Sequence, residues 1–138
     1  MYNGKNMKTI SSSEKETALI AEKYAKTLRL GDVVLLCGDL GAGKTAFTKG
    51  IAKGLGISEE VTSPTYAYLN VYGDKLYHYD CYRLSCSEDA EALGLTDYFG
   101  EDNICVIEWA ENIIDAIPKT AKKVTINKID ENKREIIF

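Results

Sequence analysis

Eight consecutive residues limit what this chain can become: Gly38-Asp39-Leu40-Gly41-Ala42-Gly43-Lys44-Thr45 fits G-x-x-x-x-G-K-[ST] without a mismatch. Glycines let successive backbone N–H groups turn inward around an anion. Lys44 adds a mobile positive charge for β- and γ-phosphates, and the Thr45 hydroxyl suits Mg²⁺. The flanks agree with this reading. Asp32 to Cys37 is a short apolar run typical of a buried parallel strand, and a helical pattern follows, with Phe47, Ile51 and Leu55 on one face and Gly54 and Gly56 expected to stop it. An anion held by the loop would therefore sit at a helix N-terminus, where the macrodipole contributes up to about 1 kcal/mol per charge. The expected phosphate contacts are Asp39, Leu40, Gly41, Ala42, Gly43, Lys44, Thr45 and Ala46. A glycine-rich turn that binds nothing is the alternative.

Composition bounds what such a loop can belong to. At 138 residues and 45% hydrophobic, the chain can build one core, so a single domain over residues 1–138 is expected, with no need of disulfides or a structural metal. Cys37 and Cys105 fall in apolar strands, and Cys81 and Cys86 have no second Cys or His cluster to complete a zinc site, so all four read as core or free thiols. A net charge of −4 argues against direct, non-specific nucleic-acid binding, which needs clustered cations. Any RNA role would run through a partner. The N-terminus is polar and the apolar runs are strand-sized, which predicts no membrane contact and a cytoplasmic protein.

Along the rest of the chain, Lys8 to Ser11 suits a short strand. Ser13 to Glu16 forms a capping box before a helix whose Ile20, Tyr24 and Leu28, with Ala21 and Ala25, recur at core spacing. From Thr65 to Tyr72 large residues alternate, Gly73-Asp74 turns, and Lys75 to Tyr82 returns, which predicts a β-hairpin with Leu76, His78, Asp80 and Tyr82 on one face. Its tyrosines suit strands as well as base stacking, and His78, the only histidine, reads as structural rather than as a general base. Ser87 to Leu95 predicts a short helix with Ala90, Leu93 and Leu95 inward, and Ile113 to Ile117 another. Val124 to Ile129 and Arg134 to Phe138 form a closing hairpin. Together these elements predict an α/β, P-loop NTPase-like three-layer fold with a largely parallel central sheet, an antiparallel hairpin insertion and a C-terminal hairpin.

The phosphate loop needs acids beside it, because Mg²⁺ takes oxygen ligands and attacking water needs an acceptor. Ile104-Cys105-Val106-Ile107-Glu108 ends an apolar strand in a carboxylate, and Asp80 ends another. The candidate metal ligands are thus Thr45, Glu108 and Asp80. The candidate catalytic residues are Lys44, Asp80, Glu108 and Thr65, the last in a switch-like segment, Val61 to Thr65, about twenty residues past Lys44. Which acid orients water stays open. Three strings imitate a GTPase: Thr65 by its spacing, Asp97-Tyr98-Phe99-Gly100 as D-x-x-G, and Asn127-Lys128-Ile129-Asp130 as N-K-x-D. Asp97 ends no apolar strand, and only eight residues follow Asp130, too few for a further base-cradling loop and helix.

Four segments in order carry a family resemblance: Gly38 to Thr45, Thr62-Ser63-Pro64-Thr65-Tyr66, Leu76-Tyr77-His78-Tyr79-Asp80-Cys81-Tyr82-Arg83-Leu84 and Ile107-Glu108-Trp109-Ala110-Glu111. The chain resembles the bacterial TsaE (YjeE) family over nearly its whole length. The first segment is generic; S-P-T, H-x-D-x-Y-R and E-W-x-E together are specific. The resemblance implies a small ATPase using ATP and Mg²⁺ in threonylcarbamoyladenosine modification of adenosine 37, in tRNAs reading codons that begin with A. It implies TsaD and TsaB as partners, with tRNA met only indirectly through that complex. It also implies that Thr45 and Glu108 contact Mg²⁺, that Asp80 acts near the metal or water, and that Thr65 belongs to the switch. No arginine finger stands out, although Arg83 could serve, which implies slow turnover alone. A small-molecule kinase and a non-hydrolysing nucleotide sensor are the other classes to test.

Overall fold

The computed structural model describes residues 7–39, 41–62 and 67–138. Leu40 and residues 63–66, which include Thr65 and Tyr66 of the switch-like segment, lie outside the described residues. In chain order the elements are β1 (Lys8–Ser11), α1 (Glu14–Ala25), β2 (Val33–Cys37), α2 (Lys44–Gly54), β3 (Leu69–Tyr72), β4 (Leu76–Asp80), α3 (Ser87–Ala92), a 3₁₀ helix (Leu95–Tyr98), β5 (Ile104–Glu108), a second, kinked 3₁₀ helix (Ala110–Ala116), β6 (Lys122–Lys128) and β7 (Arg134–Ile137).

β5 is buried along its whole length, so it must be covered on both faces. Alternation sends Ile104 and Val106 to one core and Cys105 and Ile107 to the other. β2 divides in the same way, with Val34 and Leu36 on the first side and Val33 and Leu35 on the second. The first core lies against α1 and α2, through Ala21, Tyr24, Phe47 and Ile51. The second lies against α3 and the 3₁₀ segments, through Ala90, Leu95, Ala110 and Ile113. Burying Phe47 completely contributes about 2–3 kcal/mol against exposing it.

The result is the expected three-layer α/β fold. Its sheet runs β1-β7-β6-β2-β5-β4-β3. The four central strands are parallel, and β1, β7 and β3 pair antiparallel at the edges. The register aligns Leu36 of β2 and Asp80 of β4 with Glu108 of β5, so three strand ends meet at one edge of the sheet. In an open parallel sheet that edge is where ligands bind.

Several sequence readings sharpen or change. The Ser13 hydroxyl accepts from the Glu16 N–H at 3.0 Å as a capping box requires, but the Glu16 carboxylate reaches Ser12 N–H at 3.3 Å, one residue earlier than the usual reciprocal bond. Leu93, expected inward, caps α3 and is 55% exposed, because the helix ends before it can turn onto the core. Asp97 of the D-x-x-G string lies in an exposed 3₁₀ turn, and N-K-x-D straddles the end of β6 and its turn. Tyr79 spends its hydroxyl on the Leu95 carbonyl, and Tyr72 links both backbone groups of Thr62, so these two tyrosines brace the fold.

α2 stops where expected, with Gly54 its last residue and Gly56, at φ 78°, just past the Leu55 cap; Gly54 also faces α1. A Cβ there would lie 2.6 Å from the Glu22 carbonyl oxygen. One at Gly50, a turn earlier on the same face, would lie 2.3 Å from that of Ala18. The two glycines let α1 press onto α2, and this brings the start of α1 beside the phosphate loop. Gly50→Ala is expected to destabilise the protein by about 1–3 kcal/mol despite alanine's better helix propensity. Urea denaturation measures it, and an unchanged midpoint would contradict the close helix contact.

All four cysteines are free. Burial pushes the Cys81 and Cys105 thiols up to about 12, and burial reinforced by Asp32 does the same to the Tyr24 hydroxyl. The native state therefore keeps protons that the unfolded chain releases above about pH 9, so stability should fall as pH rises from about 9 to about 12. A thiol reagent at pH 8 is expected to modify Cys37 and Cys86 in the native protein, but Cys81 and Cys105 only after denaturation. Four equally fast native thiols would refute this.

Candidate functional site

The site begins where β2 ends. At Gly38 the backbone presses so close to β6 that a Cβ would lie 2.6 Å from the Ile126 carbonyl oxygen. The Ala42 N–H donates to the Asp39 carbonyl at 3.0 Å, closing the loop's turn. Gly43, at φ 106°, is the N-cap of α2 and offers no side-chain cap. A helix's first-turn N–H groups have no partner within the helix, so among the described residues those of α2 stand open at the loop's mouth.

That mouth faces a cleft of about 610 Å³. Gly41, Gly43, Lys44, Thr45 and Ala46 line it from the loop and helix, and Asp80 and Glu108 from the strand ends. Ser13, Glu14 and Thr17 of the α1 region and Glu131, Asn132 and Arg134 of the closing hairpin form further walls. The cleft is thus bordered by the start of α1 on one side and by the closing hairpin on another.

Lys44 is only 8% exposed, and a buried ammonium needs an anion. Its Nζ lies 3.7 Å from Glu108 Oε1 and 4.9 Å from the centroid of the Trp109 ring, a cation–π contact. The other carboxylate oxygen, Oε2, accepts from His78 Nε2 at 2.6 Å. His78 is completely buried, and its Nδ1 has no hydrogen-bond partner among the described residues, so a ring proton belongs on Nε2 where it has an acceptor. Asp80 turns differently: its Oδ1 accepts from the Tyr82 N–H at 3.0 Å, an Asx turn that aims the chain away from β4. Trp109 takes a left-handed conformation, φ 60° and ψ 37°, which bends the chain immediately after Glu108. Its ring meets Tyr82 edge-on at 5.0 Å.

Lys44, Thr45, Ala46, Gly41, Gly43, Asp80 and Glu108 are therefore brought together as the sequence predicted. Asp39 faces a smaller cavity of about 200 Å³ with Cys37, and Ala42 is buried with its carbonyl turned to Arg134. Arg83, the candidate finger, is not among the cleft's lining residues; its guanidinium sits over the Tyr68 ring at 5.2 Å. His78, read as merely structural, is the hydrogen-bond partner of Glu108. Sequence reasoning missed that link, the Lys44–Trp109 contact and Arg134. Equal parity of His78 and Asp80 along β4 was visible, but only the strand register shows that Glu108 shares their side of the sheet.

The donors suit a hard cation. A hydroxyl and two carboxylates surround the loop's mouth, and no group of three or more His, Cys, Asp or Glu among the described residues forms a self-sufficient metal cage. Mg²⁺ is commonly held this way, by one or two protein oxygens together with substrate phosphates.

A central parallel strand that opens through a glycine loop into a helix, with acids at the ends of two neighbouring strands, defines a P-loop-type α/β protein. The profile of the TsaE family, described as threonylcarbamoyl adenosine biosynthesis protein TsaE, matches residues 11–136, and the chain belongs to that family. It is 42% identical to a tRNA threonylcarbamoyladenosine biosynthesis protein TsaE of Bacillus subtilis, over 97% of this chain and 85% of that one. To its counterpart in Treponema pallidum it is 40% identical, over 94% and 98%. The crystal structure of YdiB from Bacillus subtilis superimposes with a TM-score of 0.83 at 38% identity, covering 100% of this chain and 87% of that one.

Removing the imidazole should leave a cavity in the first core and one oxygen of Glu108 unpartnered. His78→Ala is expected to cost about 2–4 kcal/mol in chemical denaturation. A loss below about 1 kcal/mol would show that the 2.6 Å bond is not holding Glu108.

Proposed function

We propose that this protein is a Mg²⁺-dependent ATPase serving threonylcarbamoyladenosine modification of adenosine 37 in tRNAs that read codons beginning with A. The observation that carries the reading is the convergence in one cleft of the loop lysine, the open N-terminus of α2 and two strand-end carboxylates. Family membership supplies the pathway. Hydrolysis drives or resets a complex of TsaD and TsaB, and tRNA is engaged only through that complex, in keeping with the chain's net negative charge. Among the described residues no helix is long and apolar enough to cross a membrane, and we place the activity in the cytoplasm, where tRNA is modified.

In this mechanism the loop N–H groups and Lys44 neutralise the phosphates, and Lys44 leaves Glu108 for a stronger anionic partner. Thr45, Glu108 and Asp80 are the residues that would hold Mg²⁺, which when bound supplies positive charge to the phosphate oxygens. Glu108 is the better-anchored acid for orienting water, since His78 fixes one of its oxygens. Thr65 is assigned to the switch. Arg134, the one arginine lining the cleft among the described residues, is tied to backbone carbonyls, so slow turnover alone and stimulation by partners follow.

Phosphate release from Mg²⁺-ATP, measured with and without TsaD and TsaB, tests the proposal. Turnover should rise with the partners. Glu108→Ala should leave nucleotide binding largely intact while lowering hydrolysis about a hundredfold, the usual scale for a lost acid–base group. No release under any condition would leave a sensor, transfer to a small acceptor would make it a kinase, and unchanged turnover in Glu108→Ala would remove that residue from the chemistry.

A further inference from the structure

Arg134 begins β7, 92 residues from Ala42, yet its guanidinium reaches the phosphate loop. Nε donates to the Ala42 carbonyl at 2.9 Å, and Nη2 donates to the Gly41 carbonyl at 3.2 Å. From its other edge, Nη1 donates to the carbonyls of Asp130 at 2.8 Å and Lys133 at 3.0 Å, with that of Glu131 at 3.5 Å. Every hydrogen bond this side chain makes among the described residues ends on a backbone carbonyl, and no carboxylate there pairs with it. The hairpin turn thus holds one edge of a rigid fork whose other edge holds the loop.

We infer that Arg134 is a positioning residue for the phosphate loop, presenting the Gly43 N–H to the bound anion by fixing the carbonyl of Ala42. A trans peptide is planar, with its N–H and C=O pointing in opposite directions. The chain has no cis peptide among the described residues. Anchoring the Ala42 carbonyl on the guanidinium therefore turns the Gly43 N–H away from it. The neighbouring peptide is held in the same manner through the Gly41 carbonyl, and its N–H, that of Ala42, closes the turn onto Asp39 at 3.0 Å. One peptide thus maintains the loop's shape and the next offers a donor. Gly43, at φ 106°, is a glycine with wide conformational freedom, so an external clamp on this peptide restricts a segment that would otherwise sample other orientations.

Only arginine fits the role. Five N–H donors in one plane can serve two backbone segments at once, whereas a lysine ammonium would bring the charge without the fork. The P-loop motif ends at Thr45 and gives no hint of this residue.

The inference rests on the nucleotide reading of the cleft, and the test separates the two. Binding of inorganic pyrophosphate and of ADP, both without Mg²⁺, would be measured by calorimetry for the full chain, Arg134→Lys and Arg134→Met, with thermal melts to confirm folding. Both variants should lose affinity for both ligands by a common factor of about tenfold, because a shared phosphate cradle is loosened. Unchanged pyrophosphate affinity overturns the inference. So does a loss confined to ADP, which would make Arg134 a nucleoside contact, and so does full affinity in Arg134→Lys alone, which would make it a matter of charge. The unsubstituted protein gives an independent check by amide NMR: pyrophosphate should shift the Gly43 N–H and protect it from exchange. An unmoved Gly43 amide in a saturated complex refutes the inference even if neither variant folds. If the unsubstituted protein binds neither ligand, the nucleotide reading fails and this one fails with it.

Discussion

Lys44 and Glu108 come from different elements and meet where neither is well solvated, with side chains about a tenth exposed. An uncompensated charge in such a place costs several kcal/mol, so each requires the other until a stronger partner arrives. Glu108 is further secured by His78 from the adjacent strand. The three residues lie on α2, β5 and β4, and they meet only because β2, β5 and β4 are parallel and aligned so that Leu36, Glu108 and Asp80 share a level. A slip of one residue in β5 would send the Glu108 side chain to the other face of the sheet.

Around this pair the loop is held from several directions. β6 lies against Gly38, Arg134 grips the carbonyls of Gly41 and Ala42, and α1, drawn close by Gly50 and Gly54, brings Ser13 and Thr17 to the rim. The closing hairpin is accordingly part of the site as well as the edge of the sheet. A loop presents backbone donors to an anion without reorganisation only if they are arranged beforehand. The many backbone contacts on this loop are consistent with that requirement.

Local patterns were readable wherever a short-range rule operates. The capping Ser13, the period-2 run from Leu76 to Asp80 and the apolar stretch ending in Glu108 each express a constraint between residues a few positions apart. The same rules reached less far where packing decides. Gly54 reads locally only as a helix stop, and α2 does end there, but its missing side chain also admits α1. Leu93 looked like core because helical spacing was continued past the point where α3 ends. His78 looked ordinary because a lone histidine carries no spacing signal, and its importance depends on a glutamate thirty residues away.

What the sequence by itself determined is the chemistry available: a loop able to surround phosphate, a lysine and a threonine at its end, two strand-terminal acids, and the central strands that carry them. These follow from residue type, short spacing and hydrophobic period. Only the tertiary structure decided which of these groups touch. It paired Glu108 with both Lys44 and His78, set the Trp109 ring against the Lys44 ammonium, and brought Arg134 across 92 residues to the loop. Strand register and helix approach are set by how the two cores fill, a property of the whole chain, and no local string of residues encodes it.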